Sequence, residues 1–228
     1  MLFRSYMLLE IACFNETSAR IAFESGADRI EICEDMFCGG KTPSDKTIEK
    51  IISETGNIQR MVMIHKLGTS YCYTRRDFQW MLDRISDLHG KDLHGFVFGA
   101  VTEKNQIDEE KLEELIIAAE GKPCTFHRAF DGLENKPAAL EKLIQLGFKR
   151  VLTSGGHGRA IDHVVTLAAL QKQAEGRITI LAGGGVRSTH ANELIRLSGV
   201  NEIHSSAILK GEMADAEEIM ALKKIAAK

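Results

Sequence analysis

A chain of 228 residues with 44% hydrophobic and 27% charged positions is long enough to bury one sizeable core, which excludes disordered and fibrous classes. Its 29 Lys and Arg against 32 Asp and Glu give a formal net charge of -3 without a basic run, so the expected partner is a metal ion or small-molecule anion rather than nucleic acid or a membrane. Five cysteines, an odd number with no CxxC pair, fit neither a disulfide framework nor a zinc ribbon and are expected to be free thiols.

The first ten residues are broken by Arg4 and Glu10, too short an apolar stretch for a secretion signal or a membrane span, and a cytoplasmic location is expected. Short β-rich runs then recur, each followed by apolar residues at helical spacing. The expected strands are Leu8–Cys13, Arg29–Cys33, Arg60–His65, Gly95–Ala100, Pro123–Arg128, Arg150–Ser154, Arg177–Ala182 and Glu202–Ser206. Between them, Phe78, Met81, Leu82, Ile85 and Leu88, and then Leu112, Leu115, Ile116 and Ala119, form stripes that bury one helix face. Ser44, Asp108, Ser188 and Thr74, the last with Asp77 three residues on, are expected N-caps, and Gly56, Gly147 and Gly199 are expected helix stops. Pro43, Pro123 and Pro137 all fall at turns, strand starts or helix first turns. Eight βα units without GxGxxG after the first strand predict a closed (β/α)8 TIM barrel, one α/β domain over residues 1–228, with its site at the strands' C-terminal ends.

Helices cover the outside of such a barrel, so polar strand residues are expected to face the lumen or its mouth. Alternation pairs Glu10 with Ala12, Glu31 with Cys33, Thr125 with His127 and Glu202 with His204, and places His65 and Thr153 near the rim. Three carboxylates, up to three imidazoles and one thiol then share the interior. Such a group suits acid/base chemistry by Glu10, Glu31 and His127, suits a metal, or satisfies itself as a buried polar cluster.

Thr153-Ser154-Gly155-Gly156 and Ala182-Gly183-Gly184-Gly185-Val186 follow the sixth and seventh strands and put backbone N–H groups where late barrel loops hold phosphate. Ser154, Gly155, Gly184 and Gly185 are the expected anion contacts, with Lys66 and Ser205; alternatively the glycines relieve crowding at tight turns. At the fifth strand's mouth, His127, Arg128 and Asp131 suit proton transfer and anion binding, or Arg128 and Asp131 pair to pin the loop.

The glutamate-led first strand, ADRIEIC at Ala27–Cys33, GGKTPS at Gly39–Ser44, VFGAVT at Val97–Thr102, TFHRAFD at Thr125–Asp131, LTSG at Leu152–Gly155, GGGV at Gly183–Val186 and EIHSSA at Glu202–Ala207 together resemble the CutC copper-homeostasis family. The resemblance implies a (β/α)8 barrel, a cytoplasmic protein linked to copper tolerance and copper binding, and a homodimer; it brings no settled reaction. Copper ligands under this reading are Cys33, His65 and His204, soft enough for copper(I). The sequence departs from the family pattern in two places. Ala12 stands where the family has a cysteine, with Cys13 on the opposite face, and His65-Lys66-Leu67-Gly68-Thr69-Ser70 replaces Arg-Pro-Arg-Gly-Gly-Asp, leaving Lys66 or Arg128 to grip an anion. The two readings are thus a copper-binding homeostasis protein and an enzyme acting on a phosphorylated or anionic small molecule.

Overall fold

A computed structural model of the chain describes residues 7–66 and 70–227. Eight strands, β1 Leu8–Cys13, β2 Arg29–Ile32, β3 Gln59–Met63, β4 Gly95–Phe98, β5 Cys124–Phe126, β6 Arg150–Thr153, β7 Thr179–Gly183 and β8 Glu202–Ser205, pair in parallel, each with the next. β8 returns to β1, with Glu10 opposite His204, and closes the barrel predicted from the βα repetition. The helices are α1 Glu16–Glu24, α2 Asp45–Glu54, α3 Arg75–Leu88, α4 Glu109–Ala118, α5 Lys136–Leu146, α6 Val164–Ala174, α7 Ser188–Ser198 and α8 Ala216–Ala226.

Alternation sorts the two faces of the sheet. Leu9, Ile11, Ile30, Ile32, Val62, Phe96, Phe98, Phe126, Ile180 and Ile203 belong to the large core shared with the helices, which supply Phe78, Met81, Ile85 and Leu88 of α3 and Leu112 and Leu115 of α4. Each such fully buried side chain stabilises the fold by roughly 1.5–3 kcal/mol. Cys33, Met61, Met63 and Val97 form a separate, smaller apolar cluster inside the barrel.

Several expected strands end early. Cys33, His65, His127 and Arg128 lie beyond the last paired residues of β2, β3 and β5, because the chain leaves the ladder there to build the mouth. His127 instead heads a 3₁₀ turn over Arg128–Gly132, where its ring accepts the Ala129 N–H. Thr74, Asp108 and Ser44 cap α3, α4 and α2 as expected. The expected cap at Ser188 is corrected: Arg187 is the N-cap, and the Ser188 N–H and hydroxyl reach the Glu218 carboxylate at 2.7 and 2.6 Å. Gly147 and Gly199 end α5 and α7, whereas Thr55 is the cap of α2 and Gly56 follows it.

Candidate active site at the barrel mouth

The lumen is built in layers from inward-facing residues. At the floor, Arg29 is fully buried between Glu10 and Glu202, and Arg150 Nε donates to the same Glu202 oxygen at 3.1 Å. Neither arginine was expected inside. The signal was nevertheless present, since Arg29 stands two residues before Glu31 and Arg150 two before Leu152, on the inward face of each strand. Burial pushes the Glu10 carboxyl up, but Arg29 and His204 outweigh it and hold the group at about 2.

Above the floor, His204 Nδ1 lies 2.7 Å from Glu10 Oε1 and its Nε2 3.7 Å from Glu31 Oε2. Burial works against the charged ring, yet the Glu10 hydrogen bond and the Glu31 charge raise its pKa overall. Glu31 goes the other way from Glu10. Burial raises it, His204 pulls it back in part, and Glu10 adds like-charge repulsion, leaving the carboxyl at about 7. Its Oε1 has no partner among the described residues.

Over this layer opens a cavity of about 240 Å³. Its lining includes Glu31 and His204, the aromatic group of His65, Tyr71 and His127, and an edge of Arg128, Gly184, Gly185 and Ser205. Gly99, just past β4, makes room for the imidazole of His127, because a Cβ there would lie 2.6 Å from the ring. His65 Nδ1 meets the Tyr73 hydroxyl at 2.7 Å, while the Nε2 atoms of His65 and His127 have no partner among the described residues. Burial first, then Lys41 for His65 and the His65 ring for His127, holds these imidazoles neutral, with pKa values of about 4 and about 3.

Arg128 donates through Nε to Asp131 at 2.8 Å and through Nη2 to Ser154 Oγ and Gly158 O at 3.1 and 3.2 Å. Asp131 itself accepts from the Thr153 hydroxyl and the Ser154 N–H, and Thr153 Oγ1 in turn accepts the Gly155 N–H. The glycine turn after β6 therefore holds a carboxylate of the protein itself, and Ser154, Gly155 and Asp131 stand behind Arg128 rather than along the cavity. The turn after β7 does reach the cavity. There Gly184 has a φ of +113, and a Cβ would lie 2.8 Å from that of Ser154 and 3.3 Å from Arg128 Nη2. The Ser205 hydroxyl donates to Val186 O at 2.7 Å and accepts from Arg187, so it lines the edge with its bonds already made. Lys66 turns outward to Asp77, 3.1 Å away, and to the Trp80 ring. The changed residues Leu67, Gly68 and Thr69 lie outside the described residues.

The expected copper ligands do not come together. Among the described residues, no three His, Cys, Asp or Glu side chains gather as a metal site. Cys33 lies beneath Gly40, its sulfur over the Cys13 carbonyl at 3.5 Å, and burial followed by the Glu31 charge raises its thiol pKa well above normal. His204 is taken by two carboxylates. A protonated thiol, an imidazole between carboxylates and a rim histidine whose Nδ1 is bonded to the Tyr73 hydroxyl do not fit a copper ion as they stand. Tyr71, Met63 and Phe14 also line the cavity, and no periodicity in the sequence marked them.

A model of the CutC family matches residues 7–209. The copper homeostasis protein cutC homolog of Homo sapiens is 39% identical over 202 residues, covering 88% of this chain and 73% of its own. A family protein CutC of Histophilus somni is 41% identical over 201 residues, 88% of this chain and 82% of its own. The crystal structure of CutC from Streptococcus agalactiae superposes with a TM-score of 0.82 at 29% identity, covering 88% of this chain and 98% of that one.

Proposed function

The chain belongs to the CutC family, and on that premise we propose that it serves copper homeostasis, the role named in its human relative, as an acid/base site for an anionic small molecule. The observation that carries this reading is Glu31. A carboxyl poised near neutrality, with one oxygen unpartnered, sits at the base of a cavity whose edge presents Arg128 and the Gly184-Gly185 turn. A group with a pKa near the working pH both accepts and returns a proton efficiently. Burial raises this pKa, with His204 beneath it pulling it back and Glu10 adding to the rise, while Arg128 and the β7 turn supply the positive edge that an anion needs. The family resemblance supports a cytoplasmic location and a homodimer. Among the described residues no helix is long and apolar enough to cross a membrane.

A second reading keeps direct copper binding. Two soft sulfurs support it, because a Cβ at Gly40 would lie 3.4 Å from Cys33 Cβ and 3.5 Å from Met63 Cε, so the thiol and the thioether adjoin. One pair of measurements separates the two. In melting experiments, inorganic phosphate raises Tm for the wild type and not for Arg128→Met, by mass action on the folded state. In a copper(I) competition titration, Cys33→Ser leaves the affinity unchanged. Tight copper(I) binding that disappears in Cys33→Ser, with no phosphate effect, overturns the acid/base reading.

A further inference from the structure

Three arginines surround the turn after β7, and they differ in how their charge is met. Arg128 has Asp131 2.8 Å from its Nε, and Arg159, whose stem lies over Gly185, has Asp162 at 2.9 Å. Arg187 has no carboxylate within 4 Å among the described residues. Its guanidinium is spent on neutral oxygens instead: Nη1 donates to Val186 O at 2.8 Å and to Ser205 Oγ at 3.2 Å, and Nη2 to Ile208 O at 2.9 Å. The side chain is half-buried, and a charge withdrawn from water without a counter-ion costs free energy. Its place adds to that cost, because Arg187 is the N-cap of α7, the end of a helix dipole that disfavours a cation. Glu218, the acid that reaches this end of α7, is bonded by the Ser188 N–H and hydroxyl instead.

What the unmatched cation stands behind is the cavity edge. Ser205 lines the cavity and Val186 directly follows Gly185, so a guanidinium bonded to both lies one residue back from the surface a ligand meets. Arg128 offers N–H groups at that edge, but Asp131 offsets its charge. We propose that Arg187 is a positioning residue that gives the anion edge its net positive charge, and that the ligand seated at Arg128 and the Gly184-Gly185 turn is a doubly charged phosphate monoester. The proposal rests on the acid/base reading above and names the charge class of its ligand. Arg187 acts through the Ser205 hydroxyl and the Val186 carbonyl that it holds, and through its field. A carboxylate or a phosphodiester brings one negative charge, whereas the second charge of a monoester gains a further Coulomb attraction in a partly enclosed cavity. That gain offsets the cost of a cation at an N-cap.

Titration of the whole protein followed by ³¹P NMR tests the assignment, with glycerol 2-phosphate and dimethyl phosphate as probes. At about pH 8 the monoester, with a second pKa of about 6, carries two charges and the diester one. Wild type should hold glycerol 2-phosphate about tenfold tighter than dimethyl phosphate, and the preference should shrink as salt is added. Arg187→Met should reduce it to about twofold, and Arg187→Lys, which keeps the charge but not the three bonds, should recover most of it. A purely structural role gives a different pattern, since both substitutions break the bonds and would weaken the two probes alike. Equal affinity of wild type for the two probes overturns the proposal without recourse to any variant. Full preference in Arg187→Met, or none in Arg187→Lys, overturns it as well. If inorganic phosphate still raises Tm of the wild type and not of Arg128→Met in those cases, the acid/base reading survives; if no phosphate probe binds, both fall.

Discussion

The floor and the mouth of this barrel are made of the same kinds of side chain, yet they are finished differently. At the floor, Glu10, Glu202, Arg29 and Arg150 neutralise one another in a shared ionic network, although the buried Nη1 atoms of Arg29 and Arg150 have no partner among the described residues. At the mouth, Glu31 keeps one oxygen unpartnered and His65 and His127 each keep one nitrogen so, among the described residues. Buried polar groups are normally paired because an unmade hydrogen bond is costly. What separates the two layers is charge pairing: every ion at the floor faces an opposite charge across a salt bridge, whereas Glu31, His65 and His127 line a cavity that a ligand can enter.

The strongest way to break this contrast is at the floor. Arg29→Met leaves two carboxylates facing each other without their cation, and is expected to cost about 3–5 kcal/mol in denaturant unfolding. A loss below about 1 kcal/mol would mean that Arg29 does not hold the two carboxylates together. Next, Thr153→Val removes a donor to the buried Asp131 carboxylate and is expected to cost about 1–3 kcal/mol, with phosphate affinity retained as long as Arg128 stays in place. Gly184→Val is a poor probe of anion binding, because its Cβ collides with Ser154 and its φ is left-handed, so loss of fold and loss of ligand coincide.

Titration sharpens the same comparison in opposite directions. Glu31 is raised in the folded state from 4.5 to about 7, so the native chain binds more protons than the unfolded one in that window. Its contribution to stability is complete at low pH and falls as pH rises through about 4.5 to 7. Wild type should accordingly lose stability relative to Glu31→Gln across that range, measured by urea unfolding at successive pH values. Glu10, lowered to about 2, contributes stability above its unfolded value that is lost only as pH falls from about 4.5 toward 2. A wild-type curve parallel to that of Glu31→Gln between pH 4.5 and 7 would remove the poised carboxyl. The smallest effect is expected at Lys66→Met, which breaks an exposed pair with Asp77 and should cost under about 1 kcal/mol without changing phosphate affinity.

Much of this molecule was legible in its sequence because two periodicities carry it. Alternation along Glu10-Ala12, Glu31-Cys33 and Glu202-His204 assigned the inward face, and the stripe from Phe78 to Leu88 assigned the helix layer. Arg29 and Arg150 obeyed the same alternation but were passed over, since arginine is rarely buried unless its partners are known, and those partners lie on other strands. The destination of Asp131 depends on a contact across 22 and 23 residues to Thr153 and Ser154 that no local pattern encodes. Tyr71 follows a loop without period, and its packing on two imidazoles is purely tertiary. Cys33 faces inward as alternation requires, but facing inward did not reveal that it would be sealed beneath Gly40.

The seat that Asp131 occupies in the turn after β6 has a consequence for how the mouth answers to its surroundings. A counter-ion tethered to the backbone cannot diffuse away, and it is too deeply enclosed for dissolved salt to compete with it. Raising the ionic strength should thus strip a visiting phosphate from the β7 edge while Arg128 keeps its orientation, so that the vacated edge stays shaped for the next arrival.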